Sequence, residues 1–206
     1  MADTPSRPKT ELLFQWAAEQ NPEPWVNHCR IVAKVAEAIA GKYGLDPDRA
    51  YVSGLFHDIG YHAYKNGKGR SSHIYIGYEF MMEKGYDAIA RICLSHSFPY
   101  QDINEFFGSD LRQCSNDELT HIRKFLAETE YDDYDKLIQL CDCLGNAESV
   151  CILEQRMINV VMRHGYNDYT LKKWAAIFAL KKYFDKKCGG NIYDLFRDEI
   201  TGNIFL

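Results

Sequence analysis

The sequence predicts an all-α fold, and three observations carry that reading. Apolar residues recur at helical spacing along almost the whole of the 206-residue chain. No run of alternating apolar and polar β-branched residues bounded by turn signals interrupts that pattern. Proline, glycine and capping residues punctuate it at helix-length intervals.

Taken in order, the elements justify themselves locally. A short first helix is expected over residues 11–20, broken by Asn21-Pro22-Glu23-Pro24, with Pro24 placed to open a second helix that runs to about Lys42. Asp46 caps and Pro47 starts a third, which continues to Gly60. Residues 61–72 then read as a polar loop. Ser71 or Ser72 caps a helix over 73–84 that stops at Gly85, and Asp87 caps another that ends before Pro99. Residues 99–114 read as irregular, and Ser115-Asn116-Asp117-Glu118 is a capping box opening a helix to about Glu130. Further helices are expected over 134–144, 148–164, 169–188 and 191–200, with Gly165, Gly189 and Gly190 as stops.

Composition narrows the function classes. With 46% hydrophobic and 26% charged residues, the chain is an ordinary soluble globular protein, and its length suggests a single domain. Twenty-four Lys and Arg stand against 29 Asp and Glu, a net charge of -5, so no basic excess advertises a nucleic-acid or anionic-membrane partner. The seven cysteines are odd in number and form no C-x-x-C, which reads as reduced core thiols in a cytoplasmic protein. Neither a signal peptide nor a membrane-spanning stretch is expected, and self-association into a homo-oligomer is compatible with the pattern.

The chemistry is carried by polar residues where helical spacing calls for apolar ones. His28 continues the face of Ile31, Val32, Val35 and Ile39. His57 and Asp58 continue Ala50 and Gly54, where the glycine permits close helix approach. His73 shares a face with Gly77, Phe80 and Met81; His96 follows Ile89, Ile92 and Cys93; Asp142 follows Ile138 by one turn. A lone histidine on such a face is more often an ordinary hydrogen-bonded core residue. The weight comes from recurrence on five helices. A buried aspartate without a partner costs several kcal/mol, which a bound cation removes. Four His and two Asp form a nitrogen and oxygen set suited to iron, manganese or zinc, large enough for two ions if one carboxylate bridges. His62, His121 and His164 read as non-ligands.

His28, then His57-Asp58, then Asp142 in I-x-L-x-D resembles the signature of the HD metal-dependent phosphohydrolase superfamily. The stretches AYVSGLFHDIGY and SSHIYIGYEFMMEKGYDAIARICLSH are similar to its patterns, and His73 and His96 match the added ligands of dinuclear members. The resemblance implies an HD helical bundle over about 25–146, with a C-terminal helical extension over about 147–206. It implies two divalent transition metals: His28, His57, Asp58 and Asp142 would hold one, His73 and His96 the second, with Asp58 bridging. His57 and Asp58 would be the catalytic pair, and metal-activated water would cleave a phosphoester or phosphoanhydride of a nucleotide-like small molecule.

The nearest subgroup in ligand order is the bacterial symmetrical diadenosine tetraphosphate hydrolases. The chain departs from it at Gly60-Tyr61 and Cys143-Leu144-Gly145-Asn146, where a phosphate-side lysine and arginine are absent. Lys65, Lys68 and Arg70 are the expected substitutes, with Arg70 first. HD-type diiron oxygenases acting on a small polyol or phosphonate use the same ligands, and a non-catalytic nucleotide sensor is a third reading. Tyr100, Phe106 and Phe107 are expected either to wall the pocket or to pack on the core. The helices after Asn146 show no chemical motif and read as packing or self-association surfaces.

Overall fold

The computed structural model describes residues 4–66, 68–106 and 110–204. In chain order its helices are α1 (Arg7–Gln20), α2 (Trp25–Tyr43), α3 (Pro47–Phe56), α4 (His73–Glu83), α5 (Asp87–Ser95), α6 (Asn116–Glu128), α7 (Asp133–Asp142), α8 (Leu153–His164), α9 (Thr170–Cys188) and α10 (Arg197–Ile204). Among the described residues no strand forms; the extended pairings are two isolated bridges, Lys65 with Lys68 and Gly145 with Val150. The all-α expectation holds.

Several boundaries move, each for a local reason. The first helix begins at Arg7, with Pro8 in its first turn and the Thr10 hydroxyl donating to the Ser6 carbonyl at 3.1 Å. The third helix ends at Phe56, and the chain tightens into a 3-10 helix, Ile59–Ala63, that occupies the start of the expected loop. Helix α8 starts at Leu153, five residues later than its apolar pattern suggests. Asn146 Oδ1 accepts the backbone N–H groups of Glu148 and Ser149, both at 2.7 Å, so the side chain captures donors that a helix there would need. The last expected helix divides into a 3-10 helix, Ile192–Phe196, and α10.

Helix α2 is the axis of the packing. Trp25, Cys29 and Ala33 join a cluster with Phe14 of α1, Leu55 and Phe56 of α3 and Ile89 and Cys93 of α5. Val32, Val35, Ile39 and Ala40 join a second cluster with Leu137, Ile138 and Cys141 of α7. Leu153, Met157, Ile177, Phe184, Phe196 and Ile200 belong to that second cluster too, so α8, α9 and α10 pack on the same core as α2 and α7. All seven cysteines are free thiols. No helix among the described residues is long and apolar enough to cross a membrane.

Two glycines set how closely elements meet. A Cβ at Gly54 would lie 2.8 Å from the Ala33 Cα, so α2 and α3 touch backbone to backbone as the spacing predicted. A Cβ at Gly60 would lie 1.9 Å from the His73 carbonyl oxygen, which presses the 3-10 helix onto the first turn of α4. Gly54→Ala is therefore expected to cost about 1–3 kcal/mol through overpacking, seen as a lower urea midpoint at an unchanged m value. Gly60→Ala should also displace the start of α4.

Candidate metal centre

The six predicted ligands come together, and five of them do so at helix ends. His57 and Asp58 follow the last turn of α3, His73 is the first residue of α4, His96 directly follows α5, and Asp142 closes α7; His28 lies in the first turn of α2. Helix ends meet where their tips converge, which lets five elements deliver short side chains to one point. A buried polar clamp fixes two of those tips. Asp135 of α7 is fully buried, accepts from the Ser95 hydroxyl at 2.7 Å and pairs with Arg91, while Gln139 Nε2 donates to the Ser95 carbonyl at 3.0 Å. The end of α5 bearing His96 is thereby tied to the helix that ends in Asp142.

Asp58 sits between two sets of imidazoles. Its Oδ1 lies 3.2 Å from His73 Nε2 and 3.3 Å from His96 Nε2. Its Oδ2 lies 3.5 Å from His57 Nε2 and 4.0 Å from His28 Nε2. Asp142 Oδ1 is 3.0 Å from His28 Nε2 and 4.0 Å from His57 Nε2. Among the described residues the donor atoms form three groups, His28 with His57 and Asp142, Asp58 with His73 and His96, and Cys29 with His57 and Asp58, the last sharing a member with each of the others. Cys29 also approaches, 3.9 Å from His57 Nδ1, but burial holds its thiol pKa well above the ordinary value and it faces the nitrogen turned away from the carboxylates.

The hydrogen-bond pattern fits a cation site. His57 Nδ1–H donates to the Gly54 carbonyl at 2.7 Å, and His96 Nδ1–H donates to the Cys93 carbonyl at 3.0 Å. With its proton on Nδ1, His57 turns its Nε2 toward Asp58. Burial lowers the His57 pKa to about 4, against the pull of Asp58, so the ring is neutral at pH 7. Burial alone would raise Asp58 and Asp142. For Asp58, His57 and His73 overcome it, and for Asp142 His28 and Arg156 do so, leaving both carboxylates well below the usual range. His57 Nε2 is fully buried and has no hydrogen-bond partner among the described residues. An orphaned acceptor facing a carboxylate is satisfied by a cation held between them, and neutral imidazoles with carboxylates fit a divalent transition metal.

A cavity of about 600 Å³ opens over this cluster, with His28, Asp58, His73, His96 and Asp142 on its floor. The loop cations expected at the substrate are elsewhere. Lys65 and Lys68 are exposed and exchange backbone hydrogen bonds at 2.8 and 3.2 Å, and Arg70 is exposed and pairs with Glu79. None of the three lines the cavity. Its cationic wall is Arg156 and Arg163 of α8 and Lys173 of α9, from helices that showed no motif. Nothing in their spacing marks them, because arginine on an amphipathic helix reads as a solvated face.

Phe106 lines the cavity, its ring 5.8 Å from that of His73, as one of the two expected roles. Tyr100 does not line it, and Phe107 lies outside the described residues. Tyr61, placed by sequence in a polar loop, stacks on His73 at 4.3 Å and lines the cavity. His62 packs between Trp16 and Phe80, His121 packs on Tyr75 and Tyr78, and His164 lines the cavity outside the donor groups.

The Phe106 wall is held by a second buried network. Lys173 Nζ donates to the Ser97 and Glu105 carbonyls at 2.7 and 3.3 Å, and the Glu105 carboxyl accepts the Tyr100 N–H at 3.1 Å. Burial pushes the Glu105 pKa from 4.5 to about 8, although Lys173 opposes it. The folded state thus keeps a proton that the unfolded chain has released, and this contribution to stability is lost as pH rises from about 4.5 to 8. Thermal melting should show wild-type stability falling across that window and Glu105→Gln staying flatter.

A family model for the HD domain matches residues 25–147, a span that holds all six candidate ligands and excludes α8, α9 and α10. No curated protein and no solved structure matches the chain.

Proposed function

The chain belongs to the HD domain family, whose members are generally metal-dependent hydrolases, and from that premise we propose that it is a phosphohydrolase acting on a nucleotide-like phosphoester or phosphoanhydride. The observation that carries the reading is the division of Asp58: one oxygen faces His73 and His96, the other His57 and His28. With that division His28, His57, Asp58 and Asp142 would hold one divalent ion and His73 and His96 with Asp58 a second, iron, manganese or zinc being favoured by the donors. Metals held there would supply a water acidified toward neutral pH and positive charge against phosphoryl oxygens.

The remaining roles belong to the chain. His57 and Asp58 act as ligands and not as proton carriers, since His57 Nδ1–H is committed to the Gly54 carbonyl and both groups titrate well below neutrality. Asp142 is held by His28 on one side and Arg156, at 3.5 Å, on the other. Tyr61 and Phe106 flank His73 and exclude water from that side, which strengthens every charge interaction inside. No side-chain nucleophile is required.

Elemental mass spectrometry on protein purified without nickel affinity or chelator should find about two metals per chain. His73→Ala should retain about one, and His57→Ala should lose metal and activity together. Phosphate release from p-nitrophenyl phosphate and from nucleotides should depend on the metal. Oxygen uptake with a polyol or phosphonate in place of phosphate release would move the chain to the oxygenases, and tight nucleotide binding without turnover would make it a sensor.

A further inference from the structure

The cavity is positive in an acidic protein. Its lining holds three cationic side chains, Arg156, Arg163 and Lys173, against two carboxylates, Asp58 and Asp142, before any metal is counted, whereas the chain carries -5. The extra charge comes from α8 and α9, outside the family-matched residues.

The two arginines occupy different depths. Arg156 reaches the metal centre, with its guanidinium 3.5 Å from Asp142 Oδ1. Arg163 is seven residues further along α8, two turns or about 10 Å along the helix axis on the same face. Val160 lies between them on that face, and Trp174 and Ile177 of α9 also line the cavity. The stripe therefore runs cation, apolar surface, cation.

Among the described residues no carboxylate pairs with Arg163; its Nε–H donates to the Asn159 carbonyl at 3.3 Å. Desolvation and the like charge of Arg156 both lower its pKa, while Asp142 and Tyr61 raise it. A last-turn arginine is favoured by the helix dipole, which accounts for a cation there. It does not account for placing a second cation over the same cavity, within the field of the first. An anionic ligand group between α8 and the cavity relieves that repulsion.

We infer that Arg163 is a specificity-determining residue for a second anionic group, so that the preferred ligand is an elongated organic dianion with one phosphoryl group at the metal centre and another about two helical turns away, joined by a flat apolar body. The inference rests on the phosphoryl reading of the metal centre for the position of the first group, and on α8 alone for the second.

Non-hydrolysable probes separate the two. Biphenyl-4,4′-bisphosphonate and 4-biphenylphosphonate share one body and differ in the distal anion. Calorimetric titration of the metal-loaded protein, under nitrogen, should give the bisphosphonate at least about a tenfold advantage over the monophosphonate. In Arg163→Gln that advantage should fall to about twofold or less, and Arg163→Lys should recover most of it. Equal binding of the two probes to wild type, or an advantage unchanged in Arg163→Gln, overturns the inference. Because no turnover is needed, a protein that shows the advantage yet releases no phosphate from any ester would refute the hydrolase reading and leave the Arg163 assignment standing.

Discussion

The structure depends on keeping the Asp58 carboxylate ionised while it is nine-tenths buried. An isolated carboxylate in such a place would neutralise, because its desolvation costs several kcal/mol. Four buried imidazoles surround this one, each with Nε2 between 3.2 and 4.0 Å from one of its oxygens, so the elements that carry them have to be mutually fixed. That requirement explains features remote from the charge. Gly54 lets α3 meet α2 so that His57 arrives beside His28, Gly60 lets the 3-10 helix press on α4 so that Asp58 arrives beside His73, and Asp135 ties α5 to α7.

The imidazoles serve this centre only if they are neutral. Backbone carbonyls take the Nδ1 protons of His57 and His96, so the tautomer is set by helix ends whose last carbonyls lack intrahelical donors. Placing the ligands at helix termini thus accomplishes two things. It gathers six side chains from five helices at one point, and it supplies the acceptors that orient them.

The ligand set was legible in the sequence because each member violates a pattern: a histidine or aspartate stands where the helical period demands an apolar residue. His28, His57, Asp58, His73, His96 and Asp142 all announce themselves this way. Arg156, Arg163 and Lys173 violate nothing, since cations on amphipathic helices are ordinary. Only the packing of α8 and α9 over the centre turns them inward. Lys65, Lys68 and Arg70 are attractive by proximity in sequence to His57, but none of them lines the cavity, whose wall on this stretch of chain is Tyr61 of the 3-10 helix. The start of α8 was missed for a related reason: its apolar period extends back through the Asn146 turn, where a side-chain acceptor outcompetes the helix.

These two kinds of legibility divide the molecule's work. Residues that break a pattern form the centre within the family-matched span, where the chemistry is common to many chains. Residues that keep the pattern, on helices sharing the α2 and α7 core, face the centre from outside that span. On α8, packed on the core through Leu153 and Met157, Arg156 is tied to the ligand Asp142, whereas Arg163 belongs to neither the core cluster nor a ligand pair and can change without removing a partner of either. Under the proposed function, substrate selection falls to α8 and α9, where changing Arg163 alters the charge on the cavity wall and leaves Asp58 as it was.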